Sequence, residues 1–223
     1  MSNINYDYIE NYIADLIPDS EGILKEMEDY AQDNNVPIIT SDVASLLNIL
    51  IKSSNTKKIL EIGTAIGYSA IFMGKAAGRN FHITSIEKNP DMAEIAMKNI
   101  KKVGFENNIK LIQGDASEVL KTIDDIYDMI FIDAAKGQYI EFFNSSIQNL
   151  KVGGLFVCDN VLFRGMVAER SLLIRRKITI VKRLKKFLNY ISNNKSLQTS
   201  IVPIGDGLSI SLKLEEVAVD EQA

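Results

Sequence analysis

Four residues at the ends of two apolar runs carry the most specific chemistry in this sequence. One run closes in Ile132-Asp133-Ala134-Ala135-Lys136 and the next in Cys158-Asp159-Asn160. If the runs are neighbouring strands, Asp133, Asp159 and Asn160 can converge on one point. Three oxygen donors with no nearby imidazole or thiol suit a hard cation, magnesium first, with calcium or manganese possible. Without a metal such acids repel one another, and their plainer role is as strand-end caps and turn formers. Lys136, one helical turn beyond Asp133, could take a proton from a hydroxyl already acidified by the metal. A solvated first-turn lysine is the alternative.

Three earlier strand ends point to a second ligand. The first reads Glu61-Ile62-Gly63-Thr64-Ala65-Ile66-Gly67-Tyr68-Ser69. Gly63 and Gly67 permit a tight turn and close approach of backbone to ligand. With Ala65 between them the pattern departs from the dinucleotide motif G-x-G-x-x-G, which disfavours a pyrophosphate. Glu61 would repel phosphate but suit the ammonium of a methionine moiety. Glu87 ends the next strand and can accept both hydroxyls of a ribose. In Gln113-Gly114-Asp115-Ala116-Ser117, Asp115 can take an adenine amino hydrogen or simply cap a helix. Three acidic strand ends in order indicate an adenosyl cofactor better than any one alone.

The elements that must position these residues are legible from periodicity. Helical patterns cover Tyr6 to Ile17, Glu21 to Asn34 and Val43 to Ile51, with Ser20 and Thr40 or Ser41 as caps. From residue 56 short apolar runs alternate with helical stretches. Strands are predicted at Lys58 to Ile62, Phe81 to Ile86, Ile109 to Gln113, Met129 to Ile132 and Gly154 to Cys158. Helices are predicted at Tyr68 to Ala77, Pro90 to Val103, up to Ile123, and Gln138 to Leu150. Five such βα units make a parallel sheet covered on both faces. A long helix, Glu169 to Tyr190, then leads to Leu197 to Val202 and Leu208 to Leu214, joined by Pro203-Ile204-Gly205-Asp206-Gly207 as a hairpin. The expected fold class is α/β, a doubly wound, seven-stranded Rossmann-like sheet, mostly parallel with an antiparallel C-terminal hairpin and added N-terminal helices. One domain spans 1–223, with a helical extension at 1–55, a core at 56–214 and a frayed tail at 215–223.

Composition narrows the setting. The 223 residues are 46% hydrophobic, enough for one sizeable core. No apolar run of membrane-spanning length occurs, and the polar N-terminus has no signal-peptide core. The single cysteine, Cys158, lies in an apolar run and reads as a small core residue; its solitude fits a reducing cytoplasm. The lone His82 cannot build a zinc site. Charge is uneven: Arg164 to Lys186 holds nine basic residues and one acid, Glu169, while the rest of the chain is strongly acidic. A basic element on an acidic body suggests an anionic partner.

Taken together, Glu61 to Ser69, Asp133 to Lys136, Asp159-Asn160 and Gly205 to Leu208 resemble the cation-dependent O-methyltransferases, which include catechol and caffeoyl-CoA methyltransferases. The resemblance runs from about Ile38 to Leu214. It implies S-adenosylmethionine as methyl donor, Asp133, Asp159 and Asn160 as magnesium ligands, and Lys136 as base. It also implies cofactor contacts at Ile39, Glu61, Gly63, Ser69, Glu87, Asp115, Ala116 and Asp133, and a homodimer. Within the family, Asp159 to Val167 looks nearest to bacterial enzymes that methylate 5-hydroxyuridine at the tRNA wobble position. That base offers adjacent oxygens at C4 and C5, a chelating pair like a catechol. The basic residues Arg164, Arg175, Arg176, Lys182 and Arg183 are candidate contacts to an anticodon loop, with Phe163 and Tyr139 available for stacking. A small catechol or caffeoyl-CoA-type substrate is the alternative, and a nucleoside- or RNA-binding module without turnover is the non-enzyme one.

Overall fold

The computed structural model describes residues 4–217. A seven-stranded sheet runs in the order β3-β2-β1-β4-β5-β7-β6. Its strands are β1 (Lys58–Ile62), β2 (His82–Glu87), β3 (Ile109–Gln113), β4 (Tyr127–Ile132), β5 (Leu150–Cys158), β6 (Leu197–Val202) and β7 (Leu208–Lys213). The first five are parallel, as βα units require. β7 pairs antiparallel with β5, and β6 with β7. The expected Rossmann-like sheet with its terminal hairpin is what forms.

Helices cover both faces: α1 (Asp7–Leu16), α2 (Ile23–Asn34), α3 (Ser41–Ser53), α4 (Tyr68–Ala77), α5 (Pro90–Lys102), α6 (Ala116–Val119), α7 (Tyr139–Ser146) and α8 (Ile178–Asn193). Side chains alternate across the sheet with the period of two that strands impose. In β4, Met129 and Phe131 join the core under α2 to α5, while Ile130 and Ile132 join the core under α6 to α8. In the second core Phe143 meets Phe156 edge-to-face with centroids 4.9 Å apart. Among the described residues no helix is long and apolar enough to cross a membrane.

Four expectations need correction. The long helix predicted from Glu169 begins only at Ile178; before it lie short 3-10 turns at Arg170–Leu172 and Arg175–Lys177. The Glu169 side chain accepts from the Ser171 N–H and closes the first turn, and Leu173 and Ile174 are extended. Three consecutive cations would also oppose the positive end of a helix dipole if they sat in its first turn. Ser20 does not cap α2, whose N-cap is Gly22 at φ 59°. Thr40 occupies the N-cap of α3, but its hydroxyl turns to Asp42, whose carboxylate takes the Val43 N–H instead. Finally, the tail is not frayed from 215: Val217 is buried and its carbonyl accepts from Gln148 Nε2 at 2.6 Å. Beside it the buried Lys213 ammonium donates to the Ile147 and Leu150 carbonyls and to Glu216. The remainder of the predicted tail, 218–223, lies outside the described residues.

Candidate active site

The sheet reverses direction of winding between β1 and β4, and ligands of open α/β sheets bind beyond the strand tips at such a point. Backbone pairing continues past the strands here. Gly63 N–H donates to the Ile86 carbonyl at 3.0 Å, Asp133 N–H to Ile62 at 3.0 Å, and Asp159 N–H to Ile132 at 2.9 Å. These bonds bring the tips of β2, β1, β4 and β5 side by side. Gly63, at φ 101°, is required for that approach, because a Cβ there would stand 2.0 Å from the Asp133 carbonyl oxygen. The tips open onto a cavity of about 1450 Å³. Its wall includes Ile39, Gly63, Ser69, Glu87, Asp115, Ala116, Asp133, Lys136, Asp159, Asn160 and Arg164. All but one of the predicted cofactor, metal and catalytic residues are thus assembled around one space.

The exception is Glu61, which is not in the cavity wall. It lies wholly buried behind the turn, where Ser85 donates to its Oε2, while Oε1 has no partner. Burial raises its carboxyl to about 7, against the weaker opposing effect of the Ser69 and Ser85 hydroxyls. Glu87 does reach the site. Its two carboxylate oxygens accept from Ala65 N–H at 2.8 Å and Asn89 N–H at 2.7 Å, so the group is aimed before any ligand arrives. Asp115 caps α6 through the Ser117 N–H at 3.0 Å and pairs with Lys88 at 2.6 Å. The Lys88 bond holds its carboxyl below the usual range.

At the β4 and β5 tips the electrostatics differ. Asp133 and Asp159 are both pushed above the ordinary carboxylate range, chiefly by burial, and Asp159 further by the charge of Asp133. Lys136 lies close enough to oppose both shifts, and its Nζ donates to Asn160 Oδ1 at 2.5 Å. Among the described residues no three His, Cys, Asp or Glu side chains group as metal donors; the set here is two carboxylates and an amide. Two neighbouring acids with raised carboxyls, one of them buried and raised further by the other, beside an amide oxygen match the donor chemistry of a hard divalent cation. Lys136 occupies part of that positive role itself.

The basic residues separate. Arg164 lines the cavity, whereas Arg175, Arg176 and Lys182 are exposed and outside its wall. Arg183 Nη1 donates to the Gly137 carbonyl at 3.2 Å, next to Lys136. Tyr139 is not available for stacking: it is buried, its hydroxyl donating to the Asp159 carbonyl at 2.8 Å and its ring edge-on to Phe187. Phe163 is half-buried, with Lys136 and Lys177 over its ring at 6.0 and 5.7 Å. Two contributors were given no site role by the sequence reading, although Asp206 lies in the Gly205 to Leu208 motif. Asn48 lines the cavity with a buried, unpartnered Oδ1, and Asp206 lines it from the β6–β7 turn. The acid between two glycines was a usable signal for Asp206; Asn48 sits mid-helix and gave none.

A doubly wound sheet with acidic tips around one cavity frames a ligand site at its switch point, and relatives make the class specific. The O-methyltransferase family model matches residues 16–214. A catechol O-methyltransferase of Niastella koreensis is 30% identical over 177 residues, covering 77% of this chain and 80% of its own. A caffeoyl-CoA O-methyltransferase of Populus trichocarpa is 28% identical over 226 residues, covering 96% and 92%. A crystal structure of a candidate caffeoyl-CoA O-methyltransferase from Staphylococcus aureus superposes with a TM-score of 0.87 at 36% identity, covering 93% of this chain and all of that one. The chain belongs to the O-methyltransferase family, of the catechol and caffeoyl-CoA type, and its activity is S-adenosylmethionine-dependent methyl transfer to oxygen.

Proposed function

We propose that this enzyme methylates one of two adjacent oxygens on an unsaturated ring, with a divalent cation held by Asp133, Asp159 and Asn160. The observation that carries this is the meeting of these residues with Lys136 and the cofactor tips in one cavity. Magnesium bound there would draw in both substrate oxygens and lower the pKa of the hydroxyl. Lys136, freed from Asn160, is placed to accept the proton. Glu87 holds the ribose hydroxyls, Asp115 and Ala116 border the adenine, and Ser69 and Asn48 face the methionyl end. The chain's task is then mainly to hold acceptor oxygen and sulfonium methyl in line, away from water.

For the substrate, the reading we favour is 5-hydroxyuridine at the tRNA wobble position. Its support is the basic element beside Lys136. Arg175, Arg176, Lys182, Lys185 and Lys186 are exposed, and among the described residues no acid pairs with any of them. An unneutralised row of cations suits a phosphate backbone. The second reading is a free catechol or caffeoyl-CoA ester, favoured by the names of the relatives above, none of which mentions tRNA. The test is methyl transfer from labelled S-adenosylmethionine, with magnesium, to an anticodon stem-loop bearing 5-hydroxyuridine, to caffeoyl-CoA and to catechol. Preferred labelling of the RNA supports the first reading. Labelling of the phenolic compounds alone reverses the order.

A further inference from the structure

The loop after β5 is distinguished by its backbone. Asn160, Phe163 and Arg164 have φ of 55°, 47° and 55°, and Gly165 follows at 77°. Side chains persist in the left-handed region only where their surroundings over-determine them, and such positions cluster at functional sites. Here the surroundings are the β6–β7 turn. Val161 N–H donates to the Gly207 carbonyl at 2.9 Å and Leu162 N–H to the Asp206 carbonyl at 3.0 Å. Arg164 N–H donates to the Asp206 carboxylate. Gly207, at φ 88°, lets Leu162 press in, since a Cβ would stand 2.4 Å from Leu162 Cγ. The turn is anchored in its own right, because Gly205 N–H donates to the Asp42 carboxylate at 3.2 Å, at the start of α3.

This arrangement directs charge. The Asp206 carboxylate is turned inward and half-buried, while Arg164 stands exposed on the cavity rim. Among the described residues no acidic side chain forms an ion pair with its guanidinium. Three left-handed side-chain residues in one loop, with the half-buried Asp206 carboxylate of the facing turn on its backbone, fix where that guanidinium emerges. A guanidinium fork recognises phosphate oxygens in two parallel hydrogen bonds.

We propose that Arg164 is a specificity residue that contacts a phosphate of the substrate, and that Asp206 is the positioning residue that sets it there. This rests on the reading of the cavity as a methyl-transfer site whose acceptor enters beside Lys136. The phosphate belongs either to the RNA backbone beside the modified base or to a coenzyme A ester; the recognition chemistry is the same.

Arg164→Ala is to be assayed on two matched pairs: the 5-hydroxyuridine stem-loop against the free nucleoside, and caffeoyl-CoA against caffeic acid. In whichever pair is methylated, KM rises about tenfold more for the phosphate-bearing member than for its partner, and kcat changes less than KM. With RNA, the salt dependence of binding also falls by about one phosphate contact. Asp206→Asn keeps an acceptor for the Arg164 N–H and retains most of the discrimination, whereas Asp206→Ala loses it. Adding Asp206→Ala to Arg164→Ala brings little further loss, because one contact has already gone. Equal KM increases within a pair, or additive losses in the double variant, overturn the proposal and leave the methyl-transfer reading standing. Wild-type protein inactive on all four compounds removes both proposed acceptor classes, and the proposal with them. Should Asp206→Ala fail to fold, as shown by lost cofactor binding, the Arg164→Ala comparison decides alone.

Discussion

The two halves of the strand-tip surface are both acidic, yet they are built differently. On the cofactor side Glu87 and Asp115 have their charges met by Ala65, Asn89, Ser117 and Lys88. On the chemistry side Asp159 is buried beside the half-buried Asp133, with the Asn160 N–H on Asp159 and the Lys136 charge near both to oppose them, and the adjoining loop is left-handed. The first half is complete before ligand arrives. The second holds electrostatic and backbone strain that a cation and a substrate would relieve, which is where catalytic groups are usually found.

Substitutions should sort along that line. Asp159→Ala is expected to lower kcat/KM by on the order of 10³-fold, since it would remove a proposed metal donor together with its charge. Cofactor affinity, read by calorimetry, changes only a few-fold; a large loss there would erase the distinction between the halves. Lys136→Ala comes next, with kcat reduced by about 10²-fold or more and unchanged cofactor binding. A variant of parental rate would remove Lys136 as base. Glu87→Gln acts in the opposite sense, weakening S-adenosylmethionine by about tenfold while magnesium dependence stays as it was.

The smallest effect is on stability. The folded state raises Glu61 to about 7, above the ordinary glutamate value, so it binds the proton more tightly than the unfolded chain does. Without cofactor, that contribution is full below the unfolded pKa and is lost as pH rises through about 7, by roughly 3 kcal/mol at most. Glu61→Gln should flatten this decline in thermal melts between pH 4.5 and 8. An unchanged slope would place the titration elsewhere.

Much of this was legible because it depends on short-range pattern. The order Glu61, Glu87, Asp115, Asp133, Asp159 can be read at successive strand ends once the alternation of apolar runs and helices is seen. What could not be read was orientation. Glu61 sits one residue before Ile62, and the two-residue period of β1 sends its side chain behind the turn, among Ser69 and Ser85. Tyr139 offered an aromatic ring at the right place in the chain but is sealed by Phe187. The basic segment looked helical throughout, and only the extended Leu173-Ile174 and the charge of its first turn separate 3-10 turns from α8. Asp206 acts across 42 residues of chain on Arg164, a pairing that no local pattern announces.

The claim on which the rest depends is that Asp133, Asp159 and Asn160 hold a divalent ion needed for methyl transfer. The most direct measurement is methyl transfer by wild-type protein stripped with chelator, then titrated with magnesium, alongside Asp159→Ala. The account predicts that activity disappears with the metal, returns in a saturable way on re-addition, and does not return in the variant. Full methyl transfer in excess chelator would contradict it.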